Sequence, residues 1–70
     1  MTEIKAPMPG TILEILVKEG EAVNEDQELI ILEAMKMENP IYAVNAGSVK
    51  EIKVKVGDNV DEDSVIIVVQ

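Results

Sequence analysis

The chain has 70 residues, no cysteine, no histidine and one aromatic residue, Tyr42, which excludes disulfides, Cys/His metal centres and His- or Cys-based nucleophilic catalysis. Its 6 basic and 14 acidic residues give a net charge of −8, which argues against nucleic acid and anionic membrane surfaces and suits solubility or steering toward basic partners. The longest apolar run, Val65 to Val69, falls far short of the roughly 20 residues that span a bilayer, and no signal-peptide pattern opens the chain, so one cytoplasmic domain over residues 1–70 with no membrane insertion is expected.

Val, Ile and Leu dominate the 47% hydrophobic content, and no window sustains apolar residues at i, i+3, i+4 and i+7, so an all-β chain without helices is predicted. In chain order, a short first strand contains Ile4. Pro9-Gly10 sets a bend, and a strand follows over about residues 11–17. A turn at Gly20 requires φ > 0, and a polar loop runs from Asn24 to Glu28. An apolar strand covers about 29–33, a turn centres on Lys36, and another strand covers Ile41 to Val44. The series then repeats: a strand over about 48–55, a turn at Gly57, an acidic loop from Asp61 to Ser64 and a closing strand over 65–69. Ile12 is out of phase with Ile15 and Val17, and Val49 repeats the misfit, which predicts a bulge in each of these strands.

The repetition holds residue by residue at an offset of 37. Gly10 meets Gly47, Glu14 meets Glu51, Ile15 meets Ile52 and Val17 meets Val54. Lys18 meets Lys55, Gly20 meets Gly57, Val23 meets Val60 and Asp26 meets Asp63, and Leu29-Ile30-Ile31-Leu32 falls on Ile66-Ile67-Val68-Val69. These are two copies of one supersecondary unit, neither able to bury its apolar face alone. Lys36 lies in the seam, and its repeat equivalents fall just outside the 70 residues. The chain termini are therefore the quasi-symmetric counterpart of the lysine turn. Lys36 is expected at one end of a flattened two-sheet barrel and the termini, with any tether, at the other.

Lysines in hairpins are common and methionines usually fill cores. Here, however, Met35 and Met37 flank Lys36 where a turn is normally polar. Strand alternation cannot bury all three, so one methionine is expected to meet solvent. A lysine amine is mostly protonated near neutral pH and needs a base to become nucleophilic. With no histidine in the chain, Lys36 reads as a substrate for another enzyme rather than as a catalyst.

Glu33-Ala34-Met35-Lys36-Met37-Glu38, with the upstream Ala6-Pro7-Met8-Pro9-Gly10 and the turns at Gly20 and Gly57, resembles the attachment motif and frame of the biotinyl domain family, the biotin carboxyl carriers. The resemblance covers essentially the whole chain and its motif is specific. It implies a flattened barrel, or sandwich, of two four-stranded antiparallel sheets with quasi-twofold symmetry. It also implies that biotin protein ligase joins biotin in amide linkage to Lys36. A biotin carboxylase would then load a carboxyl group on the biotin, and a carboxyltransferase or decarboxylase subunit would remove it. Ala34, Met35 and Met37 would be read by the ligase and the catalytic partners. Glu33 and Glu38 would help to place or mark the turn, unless they are simply solvated charges. No segment between Gly10 and Glu33 is long enough for the protruding thumb of some acetyl-CoA carboxylase carriers, so the chain looks more like the thumbless carriers of pyruvate carboxylase, transcarboxylase or sodium-pumping decarboxylases.

The alternatives are three. A lipoyl carrier shares the fold and presents a lysine, but typically beside Asp and Ala rather than between methionines. An acidic metal module would use Asp58, Asp61, Glu62 and Asp63, whose spacing is not that of an EF-hand and whose loop is matched by Asn24, Glu25 and Asp26. An enzyme built on paired carboxylates is not excluded by residue count, but 70 residues leave little room for a deep pocket.

Overall fold

The two halves of the sequence fold into two sets of strands that exchange partners. In the computed structural model, which describes residues 1–70, the strands are β1 (Thr2–Lys5), β2 (Gly10–Ile15), β3 (Ala22–Val23), β4 (Glu28–Ala34), β5 (Met37–Tyr42), β6 (Gly47–Ile52), β7 (Asn59–Val60) and β8 (Val65–Val69). One sheet has the order β1-β8-β6-β3 and the other β5-β4-β2-β7, with antiparallel pairing throughout. The 37-residue offset carries β2, β3 and β4 onto β6, β7 and β8, and carries β1 onto β5. Every strand of one sheet thus has its counterpart at the same place in the other.

The symmetry reaches single hydrogen bonds. The Gly57 N–H donates to the Ile12 carbonyl at 2.7 Å, and the Gly20 N–H donates to the Val49 carbonyl at 2.7 Å. The Asp26 N–H bonds the Ala43 carbonyl at 2.8 Å and the Asp63 N–H bonds the Ala6 carbonyl at 2.9 Å. These bonds stitch one sheet to the loops of the other, closing the barrel that the repeat predicts. The bulges are also in place: the β2–β4 register slips between Ile12 and Glu14, and the β6–β8 register slips between Val49 and Glu51. Each bulge turns Ile12 or Val49 inward, where both are fully buried.

The core is wholly aliphatic. Fifteen buried side chains form one cluster, with Ile12, Leu29, Ile30, Leu32, Ile66 and Ile67 at full burial, and no polar side chain is buried. Along β4, Ile30, Leu32 and Ala34 point inward while Ile31 and Glu33 point outward. β8 is buried at four of its five positions, as a central strand should be.

Five strands differ from those expected of the sequence. β2 and β6 stop at Ile15 and Ile52, short of 17 and 55, although Val17 still enters the core. β5 runs from Met37 to Tyr42 rather than from Ile41 to Val44 and contains Pro40, which an edge strand tolerates because one of its sides need not pair. β3 and β7 are two-residue strands, too short to show a period.

The glycines divide into two kinds. Gly20 and Gly57 have φ of +90° and +95°, with open space where a side chain would stand. Gly10, expected only to set a bend, and its repeat partner Gly47 prove to be close-approach positions. A Cβ on Gly10 would run into the Glu33 backbone carbonyl and the Leu32 side chain, and one on Gly47 would run into the Gln70 carbonyl. Gly10→Ala is accordingly expected to cost about 1–3 kcal/mol by prising β2 from β4. Gly20→Ala should cost only about 1–2 kcal/mol, from backbone conformation alone. Urea midpoints of the two variants, with amide shifts reporting displacement at Glu33 in the first only, check the distinction.

Candidate functional site

β4 and β5 are joined by a hairpin whose loop is only Met35 and Lys36, because Ala34 pairs directly with Met37. Both loop residues are left-handed, with φ of 56° and 63°. Positive φ at both central positions is the pattern of a type I′ turn, which matches the twist of the flanking strands. Such turns favour Asn-Gly; residues with a Cβ are disfavoured there by about 1–2 kcal/mol each. The strain is sustained by the strands beneath, where β4 and β5 are paired from Glu28–Tyr42 to the tip. The sequence carried no signal for this turn type, since neither Met nor Lys is a turn residue.

The geometry puts the lysine and both methionines in solvent. Met35 is 85% exposed and Met37 59%, so two methionines meet solvent where one was expected. Met37 does lie on the core side of the sheet, opposite buried Ala34, but it stands beyond the end of the core. Lys36 is exposed, and its amine takes part in no hydrogen bond or ion pair; the one ion pair of the domain joins Lys53 to Glu51. Ala34 is buried, so what a partner can touch is Met35, Lys36, Met37 and the exposed flanks Glu33 and Glu38.

Glu33 and Glu38 sit directly opposite one another across β4 and β5, on the outer face. Like charges so placed destabilise a strand pair slightly. Neither carboxylate accepts a side-chain hydrogen bond or pairs with a cation. The residue that does touch the turn is Asn39, which the sequence reading passed over. Its Nδ2 donates to the Met37 carbonyl at 3.1 Å and to the Ala34 carbonyl at 3.5 Å.

The hairpin and the termini occupy opposite poles of a domain about 30 Å long and 18 Å wide. The Asn45 side-chain amide donates to the Thr2 hydroxyl at 2.8 Å, and Asn45 lies beyond the end of β5 that points away from the hairpin. The acidic residues of the second loop are turn formers. Asp58 Oδ2 accepts the Lys55 N–H at 2.9 Å, the Asp61 N–H bonds Ser64 Oγ at 3.1 Å, and Asp63 holds φ of 69°.

The fold and site define a class: a small symmetric sandwich that holds an unpaired lysine amine out on a two-residue turn at one pole. Comparison with known proteins narrows it. A family model described as "Biotin-requiring enzyme" matches residues 2–69, and the chain belongs to that family. A biotin carboxyl carrier protein of Streptococcus mutans is 68% identical over 38 residues, covering 54% of this chain and 29% of that protein. The gamma subunit of methylmalonyl-CoA decarboxylase of Veillonella parvula is 58% identical over 40 residues, covering 57% of this chain and 31% of the subunit. The chain therefore spans less than a third of the length of these relatives. Among solved structures, urea carboxylase of Kluyveromyces lactis superposes with a TM-score of 0.94 at 28% identity, covering 99% of this chain and 6% of that one.

Proposed function

We propose that the chain is a biotin carboxyl carrier domain, cytoplasmic and without catalysis of its own, that carries biotin in amide linkage on Lys36. The observation that carries the reading is the unpaired Lys36 amine at the apex of a rigid two-residue hairpin. The residues present fit such a group. The two shallow depressions of the surface, about 630 and 350 Å³, are lined by none of the residues from Ala34 to Glu38, so the turn itself offers an attached ring no seat. Once bound, biotin supplies a ureido nitrogen that takes up and gives up a carboxyl group in the active sites of other enzymes.

The chain's own part is presentation. No side chain of the domain hydrogen-bonds the Lys36 amine, so the base that frees it for acylation comes from a biotin protein ligase. Acylation removes one positive charge and leaves the turn flanked by Glu33 and Glu38. Met35 and Met37 offer flexible, polarisable contacts, suited to successive partners: the ligase, a biotin carboxylase, and a carboxyltransferase or decarboxylase subunit. Anchoring the arm makes each delivery effectively intramolecular.

Mass spectrometry after incubation with biotin protein ligase, biotin and ATP tests the reading: one biotinyl adduct, mapped to Lys36, is expected. Lipoate attached there under a lipoate ligase, with no biotin accepted, would reverse it in favour of a lipoyl carrier. Met35→Leu and Met37→Leu are expected to fold as the parent does, being exposed and of similar volume, while the carboxyl-transfer rate falls. Unchanged rates with the ligase and both catalytic partners would remove the recognition role of the methionines.

A further inference from the structure

We infer that Asn39 is the positioning residue of the modification site: its side-chain amide holds the Met35–Lys36 turn in the left-handed geometry that the ligase engages. The inference rests on the reading of Lys36 as the acylated residue. Two residues with a Cβ adopt positive φ in succession without the Asn or Gly that usually permits it. The strand pairing that bears this strain reaches its last pair at Ala34–Met37, and there a side chain adds to it. Asn39 lies opposite Leu32, two residues in from that last pair. Its Nδ2 carries two hydrogens and reaches both carbonyls that frame the loop, Met37 at 3.1 Å and Ala34 at 3.5 Å. One planar group thereby ties the outgoing end of the turn to the incoming end.

The internal repeat supplies a control within the same molecule. The counterpart of Asn39 in β1 is Thr2, at the pole where the chain makes no turn. Thr2 accepts a bond from Asn45 and braces no hairpin carbonyl. At the pole with a strained turn this position holds an amide whose N–H groups reach the turn's carbonyls; at its twin the same position holds a hydroxyl that accepts a bond from Asn45 instead.

The effect expected is on the fraction of molecules whose turn is competent to bind. When that fraction falls, apparent affinity falls in proportion while the chemistry after binding is unchanged. Asn39→Asp keeps the volume but sets a carboxylate against two carbonyl oxygens; Asn39→Ala removes the group. With biotin protein ligase, biotin and ATP, both variants should raise KM for the domain about tenfold and leave kcat within about twofold. The NMR backbone shifts of Met35 and Lys36 should lose their left-handed signature while those of Ile12, Leu32 and Ile67 stay put. KM unchanged in a folded variant, with or without a lower Tm, overturns the inference, because the side chain then serves stability only. Loss of the dispersed spectrum throughout the domain also overturns it. If the parent domain accepts no biotin, the reading of Lys36 fails, and the shifts of Met35 and Lys36 still decide whether Asn39 holds the turn.

Discussion

Lys36→Ala should abolish biotin incorporation completely and shift Tm by less than about 4 °C. The amine is the only group at the tip that can form the amide, and the five other lysines lie outside the hairpin. Its removal breaks no hydrogen bond or ion pair. Alanine keeps the Cβ, so the left-handed strain at φ of 63° persists unchanged. Lys36→Gly sharpens the test, since it loses the amine and also relieves a penalty of about 1 kcal/mol, so it should melt at or above the parent. Streptavidin blotting together with calorimetry reads both quantities. A large fall in Tm would make the lysine structural.

Leu32→Ala should have the largest effect on stability, a loss of about 2–5 kcal/mol in urea denaturation. Leu32 is fully buried on β4, pairs across to Ile12 on β2 and to Asn39 on β5, and packs against the Gly10 backbone. A core this small supplies about 3–5 kcal/mol in all, and no disulfide supplements it, so much of the population should be unfolded at 37 °C. At low temperature the folded fraction should still accept biotin, because the hairpin keeps its atoms. A loss under about 1 kcal/mol would mean that β2 and β4 close over the missing side chain.

Much of this architecture can be read from the residues, because the repeat exposes it. Gly20 and Gly57 announce their positive φ, the misfits at Ile12 and Val49 announce the bulges, and Leu29 to Leu32 and Val65 to Val69 announce the central strands. Lys36 is found at the predicted pole for the same reason. What escapes is whatever depends on backbones meeting at long range. Gly10 looks like a bend in sequence and is in fact a point of contact with Glu33, and Gly47 meets Gln70 likewise. Met37-Glu38-Asn39-Pro40 lacks apolar alternation and contains a proline, so only the edge position in the sheet reveals it as strand. Asn39 is silent for the same reason: its partners are carbonyls, and carbonyls have no letter.

Four residues, Ala34 to Met37, carry the chain from Glu33 across to Glu38. Gln70 and Met1 stand at the equivalent places, just past the final β1–β8 pair of Val69 with Thr2, as Glu33 and Glu38 stand past Leu32 with Asn39. A linker of the same length from Gln70 back to Met1 would make the molecule an unbroken ring with two interchangeable tips. Opening that ring at the lysine instead would yield a circular permutant of the same sandwich with front and back exchanged. The sandwich itself is thus indifferent to which of its two ends is a closed turn and which is open.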